Sequence, residues 1–397
     1  MAINLEKCSQ NFKLYLKSID DEQVFLTASI INKEKSSLEM FQELYVEVAK
    51  ILNENGIVIF HERIFGSISL YEHINKIRND VLSMYYENCV IPYTLIEGNP
   101  YWGEGISGIN IHGIIIKNSS ESISNIEFEN KICGRIWKSK RAEILVLISI
   151  HGLYSNNDDN YNQTLNMFEK ASYILKQYGF EFNNVIRTWI YLHDILEQYS
   201  DFNKARNIKF KEFKMIPGEI DDNQYEHVYM PASTGIDCNN PFGAAGIMDV
   251  LAIKKSDDFG VQIHNITGVK QKSAYRYGSA FSRAMVIDDQ ESKYVYLSGT
   301  ASINDKGETV YLDDIKKQIE MTGSVIETLT YDEGLNIRNI CEGTVFLKKA
   351  EYIDDYKEYC HKNNLELPCI ITVANVCRDD LLFEIDATLM GKSTRDK

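Results

Sequence analysis

The feature that most constrains this 397-residue chain is a pattern of strands and helices that recurs three times. Each copy opens on an apolar strand, at residues 23–30, 143–150 and 293–300. A polar loop and an amphipathic helix follow, with the helices predicted at about 38–55, 160–178 and 314–333. A repeat of this kind indicates several copies of one structural unit, because each copy presents the same apolar faces for burial.

Glycine and proline recur at matching places in the three copies. Each predicted helix ends at a glycine (Gly56, Gly179 or Gly334), the residue favoured where a helix closes in a left-handed turn. Each glycine is followed by a second strand, a second helix, a proline and a closing strand. The second strands are predicted at 57–60, 185–192 and 340–347, the second helices at 69–84, 195–213 and 350–363, the prolines at Pro92, Pro231 and Pro368, and the closing strands at 108–116, 244–254 and 381–390.

This order predicts an α+β fold in which helices cover one side of each sheet. Three such units in one chain can pack around a pseudo-threefold axis, as the subunits of a closed trimer do. We therefore divide the chain into a divergent first unit at 1–128, a second unit at 129–268 and a third unit at 269–397. A chain that already forms such a pseudo-trimer is expected to be a monomer or a weak homo-oligomer.

Composition limits the classes of function. A formal net charge of −15 argues against non-specific binding to nucleic acid or membranes, and an anionic substrate would need a local cluster of arginines or lysines. The eight cysteines form no CxxC pair, the start of the chain has no apolar signal segment, and we expect a cytoplasmic protein with reduced thiols. There is no GxGxxG or Walker A motif and no HExxH or HxH pattern, so we expect no cofactor and no metal.

Two stretches of the third unit resemble the YjgF/RidA superfamily, 297–303 and 376–387. Members of that superfamily are homotrimers with active sites between subunits, and many hydrolyse enamines and imines with the help of an arginine shortly after the proline. The matching stretch here, 368–372, contains no arginine, which counts against a plain imine deaminase.

Over about residues 130–392 the chain is more similar to the chorismatases, the branch in which YjgF-like units are fused in one polypeptide. The similarity rests on six motifs: Arg187–Leu192, Phe202–Arg206, Pro231–Gly235, Phe281–Ala284, Ser298–Ser302 and Cys377–Glu384. It implies a cofactor-free enzyme that cleaves the enolpyruvyl ether of chorismate to pyruvate and 3- or 4-hydroxybenzoate, as a chorismate lyase does. Hydrolysis to a dihydroxycyclohexadiene carboxylate is the close alternative. A RidA-like deaminase and a non-catalytic ligand-binding protein are the others.

The resemblance also implies site residues. A carboxyl group in the terminal strand starts cleavage in that family, and Glu384 matches it. Strand alternation places Asp386 on the same face as a rival acid, and we match Asp249 of the second unit to Glu384. Two positions that steer the product in the family correspond to Cys377 and Ala284, and their combination here leaves the product open.

The carboxylates of the substrate need cationic partners, for which the bidentate fork of arginine is suited. Arg283 is the first candidate and Arg187 the second, although a buried acid such as Glu342 is an alternative partner for Arg187. Tyr275 is a candidate to line the pocket. Convergence of Glu384, Arg283 and Arg187 on one cleft between the second and third units favours an enzyme over a binding protein.

Two further arginines have plainer roles open to them. Arg206 is predicted on the solvated face of a helix. Arg378, beside two aspartates, is as well suited to a local ion pair as to a ligand.

Overall fold

The computed structural model describes residues 2–20, 22–34, 37–86, 90–155, 158–217, 228–266 and 273–394. These residues form three six-stranded sheets and six α-helices. Within the described ranges no helix is both long enough and apolar enough to cross a bilayer.

Each unit contributes one sheet and two helices. The first unit contains β1 (Ile3–Cys8), β2 (Phe12–Ser18), β3 (Gln23–Ile30), α1 (Ser37–Glu54), β4 (Ile57–Gly66), α2 (Tyr71–Leu82), β5 (Thr94–Glu97) and β6 (Ile106–Ile115). The second contains β7 (Ser122–Phe128), β8 (Lys131–Lys138), β9 (Ala142–His151), α3 (Asn160–Gln177), β10 (Val185–Leu192), α4 (Ile195–Glu212), β11 (Ala232–Asp237) and β12 (Gly246–Lys255). The third contains β13 (Gln262–Ile266), β14 (Ala284–Asp288), β15 (Ser292–Ala301), α5 (Ile315–Thr330), β16 (Ile340–Leu347), α6 (Ile353–Lys362), β17 (Cys369–Val373) and β18 (Phe383–Lys392).

The three sheets have the same topology. The order is β1-β2-β3-β6-β4-β5 in the first, β7-β8-β9-β12-β10-β11 in the second and β13-β14-β15-β18-β16-β17 in the third. In each sheet the last pair (β4 with β5, β10 with β11, β16 with β17) is parallel and the remaining pairs are antiparallel. The repeat predicted from the sequence is therefore confirmed as three tandem copies of one α+β unit.

The strands β9 and β12 show why the apolar runs in the sequence are continuous. Leu145 and Leu147 of β9 pack in a core with α3 and α4, whereas Ile144 and Val146 point to the opposite face. That opposite face joins a central core built from all three sheets, including Phe60, Trp137, Trp189, Tyr296 and Phe346. Since both faces are buried, the strand has no polar side to show in its sequence.

Gly56 and Gly179 each follow the end of a helix, α1 or α3, by two residues, as predicted. Helix α5 ends earlier than predicted, at Thr330, and Gly334 closes the turn that follows it. Gly56, Gly179 and Gly334 have φ angles of 62°, 78° and 71°. These angles lie in the left-handed region, which is strained for residues that have a Cβ atom. The start of α3 is also encoded locally. Asp159 caps α3 by accepting a hydrogen bond from the backbone N–H of Asn162 at 2.8 Å.

The first unit boundary differs from the sequence division. Strand β7, which the division at 128/129 leaves in the first unit, forms a hairpin with β8 in the second sheet. The turn of that hairpin is Glu129–Asn130, both with positive φ, so the division falls inside a hairpin and the boundary lies between β6 and β7. The second division, at 268/269, lies outside the described residues; β13, before it, belongs to the third sheet.

Candidate active site

A cleft lies where the edge strand of the second sheet meets the third sheet. Strand β11 and the segment just before β14 are joined by a parallel bridge between Ala232 and Ser282. The backbone N–H of Ser233 donates to Ser298 Oγ at 2.8 Å, and Ser298 Oγ donates to the carbonyl of Ser282 at 2.5 Å. Because backbone and side-chain bonds both cross this junction, the two units are held in fixed register beside the cleft.

In the part of the chain that the structure describes, one carboxyl group, three arginines and a mainly apolar or small remainder line the cleft. The charged lining residues are Glu384, Arg206, Arg283 and Arg378. The others are Ile190, Tyr199, Phe202, Ser233, Gly235, Ser279, Phe281, Gly299, Ala301, Ile303 and Cys377. Residues from α4 and β11 of the second unit thus face residues from β15 and β18 of the third.

Glu384 is the second residue of β18, and only 4 % of it is exposed. Burial raises the pKa of its carboxyl group to about 8, with a further increase from the nearby Asp386 and a smaller opposing effect of Arg187. A carboxyl group with this pKa is mostly protonated at neutral pH. It can therefore donate a proton to a bound molecule, as a general acid must.

Gly299 makes room for this carboxyl group. A Cβ atom at position 299 would collide with Glu384 Oε1 and lie within 2.9 Å of Glu384 Cδ. The glycine in the Ser298–Ser302 motif is thus required by close approach of a side chain, and not by an unusual backbone angle.

Three arginines line the same cleft as this acid. The guanidinium carbon of Arg283 lies 5.5 Å from the centre of the Phe281 ring, and that of Arg206 lies 5.7 Å from the same ring. Arg378 donates from Nη1 to the carbonyl of Gly307 at 2.7 Å. Arginine is well matched to carboxylate ligands, so the cleft favours a small anion with an acid-sensitive bond near Glu384.

Arg187 has a different position. It is 1 % exposed, donates from Nη2 to Asp386 Oδ2 at 3.0 Å and to Thr234 Oγ1 at 2.5 Å, and is not among the lining residues. Glu342, the acid considered from the sequence, instead contacts Arg63 of the first unit at 3.3 Å. Because Arg187 already forms an ion pair with Asp386, we assign it a structural role beside the site and not a contact with the substrate.

The match between Asp249 and Glu384 needs correction. Asp249 and Asp386 are each the fourth residue of their strands, β12 and β18. Glu384 is the second residue of β18, and the second residue of β12 is Ile247, so Ile247 is the equivalent of Glu384. The contacts agree with this register. Asp249 accepts from Thr94 Oγ1 at 2.7 Å and lies 2.8 Å from His61 Nε2, just as Asp386 pairs with Arg187 beside Thr234. These two aspartates are equivalent interface residues.

Of the predicted site residues, the structure brings Glu384, Arg283 and Cys377 together in the cleft. Burial and the neighbouring Glu384 raise the pKa of Cys377 to about 12, so its thiol stays protonated and is a poor nucleophile at neutral pH. Ala284 is fully buried in the core beneath α5, and Tyr275 packs against the core of the second unit; neither lines the cleft.

Arg206 is the lining residue that the sequence placed elsewhere. The solvated face predicted for it is wrong: only 2 % of Arg206 is exposed, because α4 lies over the junction with the third unit. The guanidinium carbon of Arg206 lies 5.1 Å from the centre of the Phe202 ring. Phe202 is four residues earlier in the same helix, and this spacing can be read from the sequence. Arg378, left open between an ion pair and a ligand, lines the cleft. Among the described residues no group of three or more His, Cys, Asp or Glu side chains is arranged to hold a metal ion.

Comparison with known proteins shows which solved structures have a similar fold. No family model matches the chain, and no curated protein matches it. Among solved structures, a chorismatase crystal structure is 17 % identical, with a TM-score of 0.56 over 83 % of this chain and 92 % of that one. A putative endoribonuclease L-PSP from Entamoeba histolytica is 15 % identical, with a TM-score of 0.28, and the match covers 32 % of this chain and 98 % of that one. The YjgF gene product of E. coli is 20 % identical, with a TM-score of 0.26, and the match covers 33 % of this chain and 99 % of that one. The chain therefore shares the fold of a chorismatase over most of its length.

Proposed function

We propose that this protein cleaves the enolpyruvyl ether of chorismate and releases pyruvate. The observation that carries the proposal is the pairing of one buried, protonatable carboxyl group, Glu384, with three arginines in a single cleft. Chorismate has two carboxylates and an acid-labile enol ether, so it needs both features. The likeness in fold to a chorismatase points to the same substrate class.

The chemistry follows from the protonated state of Glu384. Its proton is transferred to the methylene carbon of the enol ether, which becomes a methyl group and leaves an oxocarbenium centre at the adjacent carbon. A water molecule adds to that centre and returns a proton to the Glu384 carboxylate. The resulting hemiketal then collapses: the bond from its carbon to the ring oxygen breaks, the proton of its hydroxyl group passes to that ring oxygen, and pyruvate leaves. The burial that raises the pKa of Glu384 also withholds competing solvent.

The cleft must widen to admit a ring, since its free volume is about 40 Å³. Arg206 and Arg283 both lie against Phe281, at 5.7 and 5.5 Å from its centre. Movement of this one aromatic ring would therefore open space and expose two guanidinium groups to the carboxylates of the substrate at the same time.

The ring product depends on how many bases the site contains. Glu384 is the one carboxyl group among the described lining residues. A single group suffices for hydrolysis, because it gives one proton to the enol ether and takes one back from the attacking water. The immediate product would then be a dihydroxycyclohexadiene carboxylate. The hydroxybenzoate expected from the sequence would require loss of water from this diol, with removal of a ring C–H proton.

Incubation of the purified chain with chorismate tests the proposal. Pyruvate is followed with a lactate dehydrogenase coupled assay, and the ring product is identified by mass. We expect one pyruvate per chorismate consumed and a diol or hydroxybenzoate in equal amount. Absence of pyruvate from a folded protein, at chorismate concentrations into the millimolar range, would contradict it.

The pH dependence of the reaction carries a second prediction. Because the protonated form of Glu384 is the active one and its pKa lies near 8, kcat/KM should be level between about pH 6 and 7.5. Above pH 8 it should fall by about tenfold per unit. The measurement is a pH–rate profile of pyruvate release. A rate that rises through pH 8 would mean that the carboxylate, and not the acid, does the work.

Gly299 provides a third prediction. In Gly299→Ala the added methyl group collides with the Glu384 carboxyl group and forces it out of place, so we expect at least a tenfold loss of kcat with a folded protein. Gly235→Ala is the matched control. Gly235 lines the same cleft, but a Cβ there meets its nearest atoms at 3.7 and 3.8 Å, an ordinary contact distance. Equal effects of the two substitutions would contradict the role of Gly299.

A further inference from the structure

A larger cavity lies between the first and second units. Its free volume is about 490 Å³, within the range of small-molecule sites and about tenfold that of the Glu384 cleft. Its lining comes from α2 and the segment before β5 in the first unit, and from β8, β9 and α3 in the second. The Glu384 cleft uses the counterparts of α2, β8 and β9, namely α4, the segment leading into β14, and β15, so the two cavities are related by the internal repeat. Helix α3 lines only the larger cavity, and β18 lines only the Glu384 cleft.

The strand register identifies which residues exchange places between the two cavities. Leu147 and Leu297 are the sixth residues of β9 and β15; Leu147 pairs with Gly134, and Leu297 pairs with Ala284. The residue before Ala284 is Arg283, and the residue before Gly134 is Cys133. The larger cavity therefore has a cysteine at the position of this arginine.

Two other positions differ in the same way. Ile247 takes the strand position of Glu384 and does not line the cavity, so the cavity has no proton donor there. Ser149 takes that of Gly299, as the eighth residue of β9, and donates to Thr94 at 3.1 Å. With the acid, the arginine and the glycine all replaced, the larger cavity is not a second copy of the reactive site.

It has a different set of binding groups instead. Two lysines line it, Lys131 and Lys170, and the ammonium of Lys170 lies 5.5 Å from the centre of the Phe128 ring and 5.7 Å from that of Tyr154. The His151 ring is stacked on Phe242, with ring centres 4.8 Å apart. Aromatic walls with a few cationic groups suit a flat ring that carries a negative charge.

The other ionisable residues of the lining leave the cavity with a net positive charge. Among the described residues of the lining, Glu129 is the one that is acidic, and the buried Arg78 is neutralised by Glu62 at 2.6 Å. Burial, and then Lys170 and Lys131, lower the pKa of His151 to about 4, so its ring is neutral at pH 7. The two lysines therefore supply the positive charge in excess.

Two polar atoms in the wall remain available to a ligand. Within the described part of the chain, neither His151 Nδ1 nor Tyr93 Oη has a hydrogen-bond partner, although both atoms are buried. Buried polar atoms are nearly always hydrogen-bonded in folded proteins. A bound molecule with a carboxylate or hydroxyl group would satisfy them.

We propose that the cavity between the first and second units is a binding site for a single-ring aromatic carboxylate, which it holds without chemical change. The carboxylate would pair with Lys131 and Lys170, and the ring would lie among Phe242, Tyr154 and the edge of His151. The assignment does not depend on chorismate cleavage, since none of these residues lines the Glu384 cleft.

Titration calorimetry with benzoate tests the assignment, because benzoate cannot be cleaved by the Glu384 cleft. We expect the double variant Lys131→Met/Lys170→Met to lose at least tenfold in benzoate affinity. Lys254→Met is the matched control. Lys254 is a surface lysine of the same sheet, 48 % exposed and 3.4 Å from Glu143, and its loss should leave the affinity unchanged. A thermal melt of each variant checks that the fold is kept.

A second variant separates the two cavities. Arg283→Met alters the Glu384 cleft alone and should leave benzoate affinity within twofold of the parent chain. The assignment fails if benzoate does not bind at millimolar concentration, if the double variant binds it as well as the parent, or if Arg283→Met removes the binding. Loss of chorismate turnover with retained, lysine-dependent benzoate binding would contradict the proposed reaction and leave this site standing.

Discussion

Replacement of Glu384 by glutamine is expected to lower pyruvate release from chorismate by about 10²- to 10⁴-fold, the range that a positioned general acid contributes. Glutamine keeps the size and shape of the side chain and removes the proton that starts the reaction. The neutral amide also fits the buried position, since the carboxyl group it replaces is itself mostly neutral at pH 7. The variant should therefore fold and bind chorismate with KM changed by less than kcat.

The stability of the same variant has a predictable pH dependence. The folded-state pKa of Glu384 is raised above its ordinary value, so its proton stabilises the fold at low pH, and that stabilisation is lost as the pH rises from about 4.5 to 8. Glutamine does not titrate. Relative to the parent chain, Glu384→Gln should consequently become more stable as the pH is raised through this window, measured by chemical denaturation at pH 5 and pH 9.

A surface glutamate provides the control for both measurements. Glu358→Gln removes one partner of an exposed ion pair with Lys316, at 2.7 Å, and should change neither turnover nor the pH dependence of stability. If Glu384→Gln retained more than a tenth of the parent rate, Glu384 would not be the acid. The cleft would then have to be explained as a binding site.

The fold could be predicted from the sequence where its signals are local. The helix-ending glycines and the apolar strands recur within each unit, and all of them are found in the structure. The two opening strands of each sheet were missed. Strand β1 is largely exposed and β13 has only five residues, so neither has a strong apolar pattern. Their pairing depends on the sheet they join.

The site was predictable only in part, for a related reason. Glu384 and Cys377 belong to one motif, and a resemblance identifies them together. Arg206, in contrast, is buried by a contact between units, which the helical period of α4 cannot reveal. The partner of Arg187 is Asp386, 199 residues away. Contacts at that separation depend on how the three units pack, and the order of elements along the chain does not determine them.

The pair formed by Arg187 and Asp386 is expected to give the largest effect on stability. Both side chains are almost fully buried and their charged atoms lie 3.0 Å apart, with Arg63 of the first unit at 3.9 Å from the same Asp386 oxygen. This pair therefore lies where all three units meet. Removal of one partner of a buried ion pair costs about 3–5 kcal/mol. Without Arg187, Asp386 would keep, among the described residues, only the more distant Arg63 as a cationic neighbour.

Arg187→Met should lower the free energy of unfolding by about 3–5 kcal/mol, measured by urea denaturation at pH 7. The double variant Arg187→Met/Asp386→Asn removes both charges and should recover at least half of the loss. Lys316→Met, which breaks the exposed pair with Glu358, should cost no more than about 1 kcal/mol. If Arg187→Met were no worse than Lys316→Met, the pair would not hold the units together.

The single variant Asp386→Asn links this support to the reaction. Asp386 raises the pKa of Glu384, so its neutralisation should move the fall in kcat/KM to a lower pH than in the parent chain. The pH–rate profile of pyruvate release measures the shift. A purely structural role for the aspartate would lower stability and leave the profile where it was. A shift toward lower pH would instead establish that the junction of the three units sets the acidity of Glu384.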